Sequence, residues 1–174
     1  TEQAPDRALA TNRSRPPAFV FDQWKPVLGI DGAISPRMIE AEPLPPTPDR
    51  RLGQSWSEAQ ETQVGEIMDK LTAGIDPSRF ACIKYACAIR LPNDRVLMTI
   101  DRHDLVGPAC DRADIVVLAA RTRLAACRSG APLFSQTSLR ATGAIEIFGI
   151  SGKPDQMTIK PSFENPPRPW TAHR

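Results

Sequence analysis

Asp101, His103 and Asp104 form the densest cluster of polar, chemistry-bearing side chains near a predicted strand end. Carboxylate and imidazole groups ligate metals or shuttle protons. The same triplet also reads as a solvated loop closing a strand. Arg121, Arg123 and Arg128 form a basic loop that can meet phosphate or simply face water. The chain has 2 histidines, and His173 lies near its end, so a His-rich zinc centre is excluded. No Gly-rich phosphate loop occurs, and Ser135 and Ser138 lack the context of a nucleophile elbow. Trp24, Trp56 and Trp170 lie outside the central region, so they predict no base-stacking platform.

The 4 cysteines, Cys82, Cys87, Cys110 and Cys127, leave three readings open. A zinc site wants close Cys/His pairs, which the spacing supplies poorly. Buried free thiols would pack as small hydrophobes. Disulfides are the favoured reading. On one straight strand Cys82 and Cys87 would face opposite ways, so a bond between them needs residues 83–86 to loop out. Closing Cys110 to Cys127 contributes about 3 kcal/mol in the loop-entropy model. Such bonds persist in oxidising compartments such as a periplasm.

The elements that must position these groups follow from proline and apolar patterning. Of 18 prolines, 9 lie between Pro5 and Pro48 and 5 between Pro154 and Pro169. Proline fixes φ and removes a donor, so it opposes helices and ladders. The reading is an irregular arm and Pro-rich linker over 1–53, an α/β core over 54–160 and a Pro-rich tail over 161–174. Within the arm, Ala18-Phe19-Val20-Phe21 and Trp24 predict an edge strand or a docked loop.

In the core, Ser57 and Gln60 have capping-box spacing, and Val64, Ile67, Met68 and Leu71 form one helical stripe. They predict a helix over 57–71, with Gly74 as a left-handed cap. Residues 80–91 and 95–100 read as two strands joined by a Pro92-Asn93-Asp94 turn. Pro108 opens a short helix over 108–113. Ile115-Val116-Val117-Leu118 does not alternate, which fits a strand covered on both faces. Ser135 caps a helix ending near Gly143. Residues 144–150 and 156–159 read as strands flanking a turn. The order favours an α/β fold.

The 174-residue length fits one domain. A net charge of +2 is too balanced for an obligate nucleic-acid binder. The longest apolar run, residues 115–120, is far short of the roughly 20 residues of a membrane span. The chain begins at Thr1 without a signal segment and reads as a piece of something larger.

Taken in order, several stretches resemble the C-terminal region of ComEC-type competence proteins. They are Phe80-Ala-Cys82-x4-Cys87, Val96-Leu-Met-Thr-Ile-Asp101, Ala109-Cys110-Asp-Arg-Ala-Asp-Ile-Val-Val-Leu118, Ala126-Cys127-Arg128, Leu139-Arg-Ala-Thr-Gly-Ala-Ile-Glu-Ile147 and Arg168-Pro-Trp170. The arm around Ala18-Phe-Val-Phe-x-x-Trp24 is similar to the segment before that region. The resemblance covers residues 18–174. It implies a polytopic membrane protein that carries DNA across the inner membrane during natural transformation. It also implies a metallo-β-lactamase-like αββα domain on the outer side, a nuclease where its metal motifs are intact.

Here the His-x-His-x-Asp-His cluster of that fold is absent. Its paired histidines would fall near Ala120 and Arg121, neither of which ligates. Asp101 is the remaining candidate metal ligand, and a lone carboxylate cannot hold a hydrolytic metal pair. The expectation is a partial, degenerate metallo-β-lactamase-like sandwich without catalysis or cofactor. Its role is structural or DNA-contacting, on the periplasmic side and beside the membrane channel part of a parent protein. No small-molecule substrate is expected. A partial domain should leave one sheet face incompletely covered. The alternatives are a small disulfide-stabilised periplasmic interaction domain unrelated to DNA, and a metal hydrolase using Asp101 and His103.

Overall fold

A computed structural model describes residues 8–15, 17–150 and 153–161. Residues 162–174, with Trp170, His173 and most of the expected tail, lie outside the described residues, as do Ser151 and Gly152 of the expected turn.

In chain order the elements are β1 (Ala8–Ala10), α1 (Ala18–Leu28), β2 (Gly32–Ile34), β3 (Arg37–Met38), α2 (Glu58–Ala73), β4 (Ala81–Ile83), β5 (Ala86–Arg90), β6 (Val96–Ile100), α3 (Val106–Cys110), β7 (Ile115–Leu118), β8 (Leu133–Ser135), α4 (Gln136–Thr142), β9 (Ile145–Ile150) and β10 (Lys153–Pro161). The class is α/β. Strands β3 to β8 form one sheet in sequential order, with β1–β2 and β9–β10 as separate pairs. Strands β6, β7 and β8 run parallel, while β5 is antiparallel to both β4 and β6.

The capping box of α2 forms as its sequence predicts. The Gln60 backbone N–H donates to Ser57 Oγ at 3.3 Å, and the Ser57 N–H donates to Gln60 Oε1 at 3.0 Å. The predicted stripe of Val64, Ile67, Met68 and Leu71 is buried. It packs on Ala81, Ile83, Ala86, Ala88, Met98, Ile100, Val116 and Leu118, the residues that alternate onto one sheet face. Leu105, Val106, Ala109, Cys110, Ala113, Cys127 and Leu133 belong to the same core. On the opposite face Cys82, Ile89 and Ile115 are buried, while Cys87, Leu97, Thr99, Val117 and Phe134 are half-buried. That face is therefore covered in part. The run Ile115–Leu118 sits between two parallel neighbours, which explains its lack of alternation.

Several expectations need correction. Among its described residues the arm carries β1, α1, β2 and β3, and Ala18–Phe21 is not a strand or loop but the first turn of α1. Gly29 ends that helix at φ 60, and both it and Ile30 donate to the Lys25 carbonyl. This closure favours the helix over the strand tendency of Phe and Val. Val20, Trp24 and Val27 have the i, i+4, i+7 spacing of a helix face. Strand β3 then joins the main sheet from the arm, its edges tied by Arg37 N–H to the Phe80 carbonyl and Ile39 N–H to the Cys82 carbonyl, both 2.7 Å.

Residues 80–91 are two strands, not one. The chain reverses at Lys84–Tyr85, with Tyr85 at φ 72. Helix α3 starts at Val106, after a 3-10 turn over His103–Leu105, so Pro108 stands inside it rather than at its start. Gly74 has φ −89 and is not a left-handed cap. Its small size serves close packing: a Cβ there would lie 3.1 Å from Ile39 Cδ1.

Candidate functional site

The C-terminal ends of parallel strands are where open α/β sheets place ligands. Here that edge carries Asp101 after β6, residues 119–121 after β7, and Gln136 after β8. Backbone bonds stitch it together. Ala119 N–H donates to the Ile100 carbonyl at 2.8 Å, Gln136 N–H to the Ala120 carbonyl at 3.1 Å, and Asp101 N–H to the Tyr85 carbonyl at 2.9 Å. Gln136 Nε2 adds a 3.2 Å bond to the Ala119 carbonyl. Adjacent strand ends thus bring Asp101 and residues 119–121 to one edge, although they are far apart in sequence.

The polar triplet does not act as a unit. Arg102 forks onto Asp104, with Nε 3.1 Å from Oδ1 and a second bond from Nη2 to Oδ2. The pair is nearly buried, and Arg102 Nη2 also donates to the Pro45 carbonyl at 2.9 Å. The guanidinium lies 5.4 Å from the centre of the Tyr85 ring. Asp104 is therefore committed to anchoring the linker, and Asp101 is exposed. The two open onto different clefts: Asp101 lines one of about 500 Å³, while His103 and Asp104 line another of about 950 Å³. No group of three or more His, Cys, Asp or Glu side chains converges on a metal position among the described residues. Among the described residues the donor set does not fit a hydrolytic metal pair.

Trp56, Glu61, Asp111, Arg112 and Arg128 also line the larger cleft. Arg112 is held in place: Nε meets Asp69 Oδ1 at 2.6 Å, and the terminal nitrogens reach the Pro108 and Gly65 carbonyls at 3.1 and 3.3 Å. It ties α2 to α3. The hydrogen bond from Arg112, reinforced by its charge, holds the Asp69 carboxyl below the usual carboxylate range. Of the predicted basic loop, Arg128 lines this cleft, while Arg121 and Arg123 are exposed but outside its lining. None of the three has an ion-pair partner among the described residues.

The four cysteines form two disulfides, Cys82–Cys87 and Cys110–Cys127. The reversal at Lys84–Tyr85 puts Cys82 and Cys87 directly opposite each other, with Cα atoms 4.0 Å apart. This narrow spacing belongs to a non-hydrogen-bonded antiparallel pair. Cys110–Cys127 lies in the wall of the larger cleft.

Sequence reasoning missed residues 12–15. Asn12 Nδ2 donates to Thr99 Oγ1 at 3.3 Å, and Arg13 and Arg15 line the smaller cleft beside Cys87. No local pattern announces this placement, because it depends on the arm crossing the sheet. Trp24 is exposed, and Trp56 donates from Nε1 to the Pro46 carbonyl at 3.1 Å. No helix among the described residues is long and apolar enough to cross a membrane. No protein-family model, curated protein or solved structure matches the chain.

Proposed function

We propose that this chain is a non-catalytic piece of the C-terminal, metallo-β-lactamase-like domain of a ComEC-type DNA-uptake protein. It contributes structure and DNA contacts on the periplasmic side of the inner membrane, beside the channel part of its parent. The observation that carries this reading is the shared strand-end edge of Asp101 and residues 119–121. The resembled fold keeps a bridging aspartate and paired histidines at such strand ends. Here Asp101 has Ala120 and Arg121 in place of those histidines. A methyl group and a guanidinium cannot ligate, and Arg121 adds a phosphate-binding charge instead. Two disulfides support an oxidising compartment.

The test is binding of duplex and single-stranded DNA over a salt series. Affinity should fall with salt, and replacing Arg121, Arg123 and Arg128 together by Ala should lower the slope by about 2 to 3. No binding at low salt would overturn the DNA role. Stoichiometric zinc or manganese in the purified protein, with metal-dependent hydrolysis, would overturn the non-catalytic role.

A second reading is a disulfide-stabilised periplasmic interaction domain unrelated to DNA. Helix α1 favours it, because the helix buries none of its residues and leaves Phe19 and Val27 78% and 81% exposed. Absence of DNA binding in the same salt series selects this reading.

A further inference from the structure

We infer that Cys82–Cys87 is a thiol–disulfide exchange site, opened by an anionic dithiol reductant that attacks Cys87, whereas Cys110–Cys127 is structural. The two bonds sit in different surroundings. Cys110 and Cys127 also line a cleft, but both are buried, at 7% and 8% exposure, and their bond joins residues 17 apart in sequence. Cys82 and Cys87 are only 5 apart, and the β4–β5 ladder already pairs their backbones. Opening this bond releases no long loop. Cys82 is 3% exposed, but Cys87 is half-buried and lines the open cleft of about 500 Å³. An incoming thiolate therefore reaches Cys87, and access of this kind selects which disulfides exchange.

The cleft also suits an anion. Arg13 and Arg15 line it without ion-pair partners among the described residues, against the single carboxylate of Asp101. Their charge attracts an anionic thiolate and stabilises the thiolate that leaves. The reduced pair already has an acceptor. The Asn12 carbonyl oxygen lies 3.5 Å from Cys87 Sγ and 4.0 Å from Cys82 Sγ. The disulfide has no proton to donate there, but the two thiols of the reduced form do.

The exchange balances. One sulfur of the dithiol attacks Cys87, the Cys82–Cys87 bond breaks, and Cys82 leaves as thiolate. The second sulfur of the reductant then attacks the mixed disulfide and releases Cys87. Two electrons and two protons pass to Cys82 and Cys87, and the reductant becomes a disulfide.

The test is stepwise reduction of the native protein with dithiothreitol, trapped by alkylation and mapped by mass spectrometry. Cys82 and Cys87 should label while Cys110 and Cys127 remain bonded, with the circular dichroism spectrum unchanged. Simultaneous opening of both bonds, prior opening of Cys110–Cys127, or loss of structure on opening Cys82–Cys87 would each overturn the proposal. The charge argument has its own readout. Anionic glutathione should outpace cationic cysteamine at Cys87, and the double variant Arg13→Ala, Arg15→Ala should reverse or abolish that preference several-fold. An unchanged preference would overturn selection for an anionic reductant.

Discussion

Cys110 and Cys127 join the end of α3 to the loop ahead of β8, with Cα atoms 5.5 Å apart. The loop they close contains no helix, so the crossover from β7 to β8 depends on this bond more than on secondary structure. Ser129 Oγ adds a 3.0 Å bond to the Cys110 carbonyl, and Cys127 N–H reaches the Ala131 carbonyl at 3.0 Å. Replacing both cysteines by Ala should lower stability by about 3 kcal/mol, read from the urea midpoint at constant slope. The same pair of changes at Cys82 and Cys87 should cost less, because a hairpin already closes that shorter loop. Equal losses would show that the β7–β8 loop is held by its hydrogen bonds.

Leu71 of α2 and Met98 of β6 both belong to the main core and are fully buried. Leu71→Ala or Met98→Ala should each cost about 2–5 kcal/mol, since the lost contacts add to a residual cavity. Leu124 is 55% exposed, so Leu124→Ala should change stability by less than about 0.5 kcal/mol. Urea unfolding of the three variants checks the contrast.

Both predicted N-caps are made. Ser57→Ala removes the acceptor for the Gln60 N–H and should cost about 1 kcal/mol. Ser135 is 1% exposed and accepts from the Thr137 and Ser138 N–H groups at 3.2 and 3.4 Å. Ser135→Ala should cost more than Ser57→Ala, because the freed donors are partly buried and less open to water. Thermal unfolding of the two variants ranks them. The reverse order would mean that solvent reaches the start of α4.

The parts legible in the sequence are those whose signals are local. Helix α2 carries its cap and stripe within 15 residues of chain. The turn at Pro92–Asn93–Asp94 is set by its own residue types, and the Leu91 N–H to Arg95 carbonyl bond at 2.8 Å closes it. Helix α1 is different. Its Phe-Val-Phe start has strand-like composition, and the deciding signal is Gly29 at its far end. The division of 80–91 depends on Tyr85 accepting a positive φ, which no pattern at that position announces. At the site, the strand end identifies Asp101, but its separation from Asp104 does not follow from spacing. That separation requires Arg102 to clamp Asp104 while reaching Pro45 in the linker. The contact of Asn12 with Thr99 is likewise set by tertiary placement alone.

Asp69 gives the fold a defined response to acid. The Arg112 hydrogen bond and charge hold its carboxyl below the usual range, so the folded protein binds this proton less readily than the unfolded chain. The contribution is complete above the ordinary carboxylate value and is lost as pH falls through the lowered folded value. Stability should therefore rise with pH across and just below the ordinary carboxylate range. The Asp69 side chain is 67% exposed, so solvent screens the pair and salt should weaken the effect. Asp69→Asn and Arg112→Ala should each flatten the dependence of the urea midpoint on pH, with the Arg112 change also loosening α2 from α3. Asp76 provides a comparison. Its carboxyl is lowered by hydrogen bonds from the Ser78 side chain and backbone, which salt affects less than an ion pair. Ser78→Ala should raise the Asp76 value in an NMR titration while leaving Asp69 unmoved. A shift of Asp69 in that variant would show that the two carboxylates report one shared change in structure.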